Sequence, residues 1–141
     1  MKAFFDTSVL VAVCYADHEH HAPSMTAFRG FAKPDAGCAA HSLVEVYASL
    51  TRMPGEHRMS PAQAMQFLGT VRERLTVVAL DGAEYFSGLE RFAALGVAGG
   101  TIYDAMLGLC ALKADAATIY TWNLRHFRQC GLEIAGRVCT P

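Results

Sequence analysis

An excess of charge of either sign is missing from this sequence: twelve Lys and Arg face thirteen Asp and Glu, leaving a formal net charge of -1. Such a balance does not advertise a nucleic-acid partner, so any polyanion contact must be local. Long apolar runs are also missing. Asp6, Glu45, Asp104 or paired glycines interrupt each one, and none approaches the ~20 residues that span a bilayer. Asp6 follows Phe4-Phe5 before an h-region can build, so a cytoplasmic protein without a membrane segment is expected. The cysteines at 14, 38, 110, 130 and 139 are odd in number, scattered and without a CxxC. That spacing argues against a disulfide framework and a zinc clip, and leaves reduced, mostly buried small hydrophobes. No GxSxG, GxGxxG, P-loop or HExxH is present, which removes the commonest hydrolase, nucleotide-cradle and zincin signatures. Linkers, repeats and low-complexity segments are absent as well. What is present is a chain of 141 residues, 52% apolar and only 18% charged, so a single domain over residues 1–141 with a sizeable core is expected.

Along that chain, short apolar strands alternate with amphipathic helices. Lys2–Phe5 reads as a strand, and Asp6-Thr7-Ser8 supplies the turn and N-cap for a helix through Cys14. Ala22, Met25, Phe28 and Ala32 place a second helix over about His21–Ala32. Cys38-Ala39-Ala40 reads as a brief strand, and Ser42-Leu43-Val44-Glu45 matches a capping box opening a helix to about Arg52. Ser60-Pro61-Ala62-Gln63 starts another helix by the same logic, with proline at its first position. Thr76–Leu80 is predicted as a buried strand, and Asp81 caps a helix to about Leu95 with Gly96 at its end. Gly99-Gly100-Thr101 opens a helix with Ile102, Ala105, Met106, Leu109 and Leu112 on one side. Thr118–Thr121 reads as a strand and Trp122–Phe127 as the loop beyond it. This alternation implies an α/β fold of three layers, a central parallel sheet flanked by helices, because parallel strands need crossover connections. Ligands in such sheets sit outside the carboxyl ends of the strands, where the strand order reverses.

Asp6, Glu45, Asp104 and Asn123 all map near those ends. Singly, each carboxylate has a structural explanation: Asp6 as a turn or cap residue, Glu45 as the acid of a capping box, Asp104 as a first-turn charge worth about 0.3–1 kcal/mol. Together they demand more, since several carboxylates in one cleft cost several kcal/mol per charge unless a cation offsets them. Hard oxygen donors suit Mg²⁺ or Mn²⁺, which keep several waters and bind substrate phosphates. Phosphoryl chemistry is the use such a site serves.

Phe4-Phe5-Asp6-Thr7-Ser8-Val9-Leu10, Ser42-Leu43-Val44-Glu45-Val46, Tyr103-Asp104-Ala105 and Thr121-Trp122-Asn123-Leu124-Arg125-His126-Phe127 resemble, in order and spacing, the PIN-domain family. The resemblance covers essentially the whole chain, and its size looks like the VapC toxin branch of type II toxin-antitoxin systems. The resemblance implies a PIN-like three-layer fold and a Mg²⁺- or Mn²⁺-dependent endoribonuclease that hydrolyses RNA phosphodiesters. It further implies homodimerisation and inhibition by a VapB-type antitoxin. By position it makes Asp6, Glu45, Asp104 and Asn123 the catalytic set, with Asp6 and Asp104 as metal ligands. Glu45 binds metal beside them or orients the attacking water. Asn123 stands where many relatives carry a fourth aspartate, and the missing charge makes a one-metal mechanism at least as natural as a two-metal one. Thr7, Ser8 and Thr121 are placed to hydrogen-bond the carboxylates, or serve as ordinary turn and cap hydroxyls. Arg125 and Trp122 are the candidates for RNA contact, by charge and by stacking, with His126 and Phe127 as further aromatic groups.

Three alternatives stand beside this reading. A haloacid-dehalogenase-type phosphatase also begins with an aspartate after its first strand, but Asp6-Thr7-Ser8 lacks the second aspartate of DxD. A phospho-receiver domain needs a paired acidic pocket that one acid at position 6 does not supply. A non-catalytic RNA- or protein-binding module would keep the fold, yet carboxylates that repel phosphate bring it nothing. The tract Asp17-His18-Glu19-His20-His21 reads as a solvated connection rather than a transition-metal site. The resemblance further implies that the helical pair between Ser42 and Arg74 offers an apolar groove for a partner's amphipathic segment.

Overall fold

In the computed structural model, which describes residues 1–141, five parallel strands form one sheet. They are β1 (Ala3–Phe5), β2 (Ala36–Ala39), β3 (Thr76–Val78), β4 (Thr118–Tyr120) and β5 (Val138–Cys139), in spatial order β3-β2-β1-β4-β5. The chain builds outward from β1 in one direction through β2 and β3, then returns to the other side of β1 for β4 and β5. The order therefore reverses between β1 and β4, whose register pairs Phe4 with Ile119 and Phe5 with Tyr120.

Helices cover both faces: α1 (Thr7–Cys14), α2 (His21–Gly30), α3 (Ala40–Arg52), α4 (Pro61–Arg74), α5 (Gly82–Ala94), α6 (Thr101–Lys113), and the short α7 (Leu124–Phe127) and α8 (Leu132–Ala135). Pleating distributes β1 between two cores. Ala3 and Phe5 join Leu10, Val46, Leu50 and Leu68 in one apolar cluster, while Phe4 joins Phe92, Leu107, Ile119 and Phe127 in the other. Both phenylalanines are fully buried, each stabilising the fold by about 1.5–3 kcal/mol. A central strand covered on both faces has no room for alternation with polar residues, which explains the apolar run before Asp6. Gly88 lets α5 lie against α6, because a Cβ there would stand 2.5 Å from Leu109.

Several elements differ from the sequence reading. The capping box at Ser42–Glu45 does not form. α3 begins two residues earlier, directly off β2 at Ala40, with Ala39 as an N-cap that makes no side-chain bond. Ser42 is thereby turned into the core with an unpartnered hydroxyl, and Glu45 lies in the second turn. The Ser60 box forms in full, with Gln63 N–H donating to Ser60 Oγ and Ser60 N–H donating to Gln63 Oε1. β3 is half-buried rather than buried, as a strand at the sheet edge must be. α6 buries Ala105, Met106, Leu107, Gly108, Cys110 and Ala111, more than one side of a helix, because sheet, α5 and α8 all press on it. Leu124–Phe127 is a helical turn, not a loop, and α8 and β5 were not anticipated. All five cysteines are free, with Cys38, Cys110 and Cys130 buried, Cys14 half-buried and Cys139 exposed.

Candidate active site

At the carboxyl ends of β1 and β4, where the strand order reverses, a cleft of about 500 Å³ opens. Parallel α/β sheets present their ligand sites at this point because the connections there diverge to opposite faces. Asp6, Glu45, Asp104 and Asn123 all line the cleft, although α1, α3, α6 and the turn after β4 deliver them separately.

Asp6 leaves β1 as the N-cap of α1 and is 2% exposed. Its Oδ2 accepts from Ser8 Oγ at 2.6 Å, from Thr121 Oγ1 at 2.8 Å and from Ser8 N–H at 3.4 Å. All three donors converge on one oxygen, so the carboxylate is held firmly while Oδ1 has no protein donor. Thr121 in turn accepts from Asn123 N–H at 2.9 Å, and Ser8 Oγ accepts from Trp122 N–H at 3.0 Å. The hydroxyls thus stitch the start of α1 to the turn after β4. Thr7 Oγ1 donates to Glu45 Oε1 at 3.4 Å.

Glu45 is pushed up to about 7, first by desolvation and then by the charges of Asp6 and Asp104. Asp104 is pushed up to about 6, again by desolvation and then by Asp6, against the opposing hydrogen bond from His126. His126 Nδ1 lies 2.7 Å from Asp104 Oδ2. His41 Nε2 lies 3.1 Å from the Tyr103 carbonyl and 3.9 Å from Glu45 Oε1, but burial lowers its pKa and disfavours the imidazolium. No Lys or Arg lines the cleft. The protein itself therefore leaves this concentration of negative charge largely uncompensated, and carboxyls respond by moving toward neutrality.

A divalent cation fits that deficit. The free Oδ1 of Asp6 and the carboxylates of Asp104 and Glu45 are hard oxygen donors of the kind Mg²⁺ and Mn²⁺ prefer. No group of three or more His, Cys, Asp or Glu side chains is drawn together closely enough to hold a metal ion by itself. An open set suits Mg²⁺, which usually binds one or two carboxylates and keeps several waters.

Of the residues singled out for the site, Asp6, Thr7, Ser8, Glu45, Asp104, Trp122 and Asn123 line the cleft, and Thr121 lies buried behind Asp6. Arg125 does not line it; the helical turn α7 leaves that side chain exposed outside. His126 is drawn into the cleft by the same turn and pairs with Asp104 rather than standing ready only for stacking. Two residues escaped notice. His41 carried a signal in its i, i+4 spacing to Glu45, and Tyr103 is 58% exposed beside Asp104. The tract His18-Glu19-His20, read as a solvated connection, in fact folds along the cleft.

Comparison with known proteins agrees with this fold. The PIN domain family model matches residues 3–131. Ribonuclease VapC40 of Mycobacterium tuberculosis is 37% identical over 121 residues, 85% of each chain. Ribonuclease VapC27 of the same organism is 33% identical over 116 residues, 80% of each chain. The crystal structure of M. tuberculosis VapC20, described as a Sarcin-Ricin loop cleaving toxin, superposes with a TM-score of 0.68 at 20% identity, over 86% of this chain and 90% of that one. That likeness shows the fold. With a family model covering most of the chain and relatives above 30% identity, the chain belongs to the PIN-domain family, in its VapC branch.

Proposed function

We propose that residues 1–141 form one PIN domain acting as a Mg²⁺- or Mn²⁺-dependent endoribonuclease, the toxin of a VapBC-type module in the cytoplasm. The observation that carries the reading is the meeting of Asp6, Glu45 and Asp104 in a cleft that no Lys or Arg lines. A purely binding surface for RNA would place cations there, not carboxylates. The relatives' names support RNA as the substrate.

Asp6, through Oδ1, and Asp104 would hold the cation. When bound, it supplies charge neutralisation of the phosphate, orientation, and acidification of water. Asp6 is kept rigid by the hydroxyls of Ser8 and Thr121, and Asp104 is oriented by His126. Glu45, on the wall of a cleft without a cationic Lys or Arg side chain, would orient the attacking water and accept its proton, the part of a general base. Water's oxygen bonds to phosphorus as the bond to O3′ breaks in line, leaving a 5′-phosphate and, after protonation, a 3′-hydroxyl. Asn123 offers an amide rather than a fourth charge, which favours one cation over two.

The VapB-type partner has its own candidate surface. Leu43, Val44, Tyr47, Met65, Leu68 and Arg72 line a groove of about 520 Å³ between α3 and α4, with Val44 69% and Met65 58% exposed. An amphipathic antitoxin segment with apolar side chains at helical spacing fits such a groove. The reading also takes the toxin as a homodimer.

The test is cleavage of total cellular RNA by purified protein, with Mn²⁺ or with EDTA. Discrete fragments that require both metal and Asp104 support the reading. Cleavage that persists in EDTA or in Asp104→Asn overturns it.

A further inference from the structure

The loop between α1 and α2 lays His20, a residue with no function in the account so far, against Trp122, the stacking candidate for RNA. His20 lies flat on Trp122, with ring centroids 3.8 Å apart and planes 9° from parallel. Both rings line the cleft that holds the carboxylates. We propose that this stack is a nucleobase subsite, in which an unpaired base of the RNA beside the scissile phosphate stacks on His20. This deepens the ribonuclease reading above and rests on it.

Three observations carry the assignment. First, the stack is tied rigidly to the catalytic centre. Trp122 Nε1–H donates to the buried Ser24 Oγ at 2.9 Å, and Trp122 N–H donates to Ser8 Oγ, which donates to Asp6 Oδ2. Two hydrogen bonds therefore separate the indole's backbone from the carboxylate proposed to hold the cation. Second, the loop that delivers His20 is braced on both sides. His20 N–H donates to His18 Nδ1 at 3.0 Å, His21 Nδ1 bonds the Ala12 carbonyl at 2.9 Å, and His57 Nε2 pairs with Asp17 Oδ2 at 2.6 Å. A plate held this way orders little further on binding, so stacking is not spent on immobilising it. Third, His20 is not consumed by the protein's own contacts. Its side chain stays 36% exposed, with the highly exposed Glu19 at 3.5 Å and the tilted His18 ring 5.7 Å away, centroid to centroid.

The charge of the cleft explains why a base subsite is needed. No Lys or Arg lines the walls, so apart from a bound cation the phosphates meet only hydroxyl, amide and imidazole donors beside the carboxylates. Without a fixed cationic side chain to hold the phosphates, contacts to the bases add the grip that the walls lack. Stacking on aromatic rings, histidine among them, is how proteins hold splayed single-stranded RNA, and it tolerates any base because each has a π-face. A base reaching this plate must be unpaired, so the subsite directs cleavage to loops and single strands. Purines stack over the larger area and are favoured.

Trp122 is the chain's single tryptophan, so its fluorescence reports the subsite directly. Binding of a short unstructured oligoadenylate is measured by Trp122 quenching in Ca²⁺, with gels confirming that the RNA stays intact. An oligomer of the same length with abasic ribose units is the control. The expected result is quenching by oligoadenylate and about tenfold weaker binding of the abasic chain. His20→Ala weakens oligoadenylate binding by a similar factor, read by its effect on an end-labelled oligomer, and His20→Phe restores it. Rescue by phenylalanine separates stacking from hydrogen bonding or charge, and His20 makes no buried bond whose loss unfolds the chain. Equal affinity of wild type and His20→Ala, equal affinity of the abasic chain, or no binding by wild type overturns the subsite. Cleavage of total RNA with Mn²⁺ is scored separately. Cutting by wild type with an unaffected His20→Ala removes the subsite and keeps the nuclease; binding through His20 without any cutting does the reverse.

Discussion

Two hollows of nearly equal size, about 500 and 520 Å³, mark this molecule, and they are built on opposite principles. The acidic cleft is assembled from chain-distant residues at the ends of β1 and β4, so its geometry follows from the parallel sheet itself. The α3–α4 groove is assembled from two neighbouring helices, and its walls are Leu43, Val44, Tyr47, Met65 and Leu68. One concentrates charge that burial makes costly; the other exposes apolar surface that water makes costly. Each is a standing instability in the isolated chain, and the proposed function gives each a different partner that would relieve it: a cation with RNA in the cleft, an amphipathic segment in the groove.

The largest effects should appear where the cleft alone is broken. Asp6→Asn and Asp104→Asn each lower kcat/KM by roughly a hundred- to ten-thousand-fold, the range expected for losing a positioned acid–base or electrostatic group. Asparagine also serves as an N-cap, so α1 should survive the change at position 6. In single-turnover cleavage assays, Met65→Asp in the groove should leave the rate unchanged. The converse sharpens the contrast: Met65→Asp weakens binding of the antitoxin's segment tenfold or more, about 1.4 kcal/mol or above, read by calorimetry, while Asp104→Asn binds it normally.

A smaller effect concerns pH. Glu45 ordinarily titrates near 4.5 and is raised in the fold to about 7 by desolvation and by Asp6 and Asp104. A carboxyl raised on folding costs no stability below its unfolded pKa, and its cost is complete once pH has passed the folded value. The metal-free protein therefore loses this contribution between about pH 4.5 and 7. Glu45→Gln should stabilise the metal-free protein by about 1 kcal/mol above that window, after allowance for the side chain's partial exposure, and by nothing below it. Urea midpoints at the two ends of the window check this. Smallest and most local, Ser60→Ala removes the cap of α4 and costs about 1 kcal/mol of stability with the cleavage rate intact.

The particular residues show what a sequence can and cannot reveal. β1, Asp6 and the start of α1 were legible because an apolar run, an acid and two hydroxyls occur in that order, and the cap that turns strand into helix is local even though the ladders of β1 are not. Ser60-Pro61-Ala62-Gln63 was legible for the same reason. Ser42–Glu45 carried an identical local pattern and misled, because β2 runs straight into α3 and core packing claims Ser42. β5 is two residues long and exists only because β4 offers it a ladder. In the cleft, the four positions near strand ends could be named but not brought together without the sheet. The His126–Asp104 pair and the His20–Trp122 stack depend on a four-residue turn and on a braced loop. Neither spacing contains them.

The measurement that bears most directly on the central claim is the thermal midpoint of the purified protein with and without Mn²⁺. A cleft whose charge the protein leaves uncompensated should bind the cation only when folded. At a hundredfold excess over Kd the midpoint should rise by roughly 5–10 °C, and Asp6→Asn and Asp104→Asn should each abolish most of that rise. An unchanged wild-type midpoint, or an equal rise in both variants, would contradict the assignment of this cleft as a cation-dependent catalytic site.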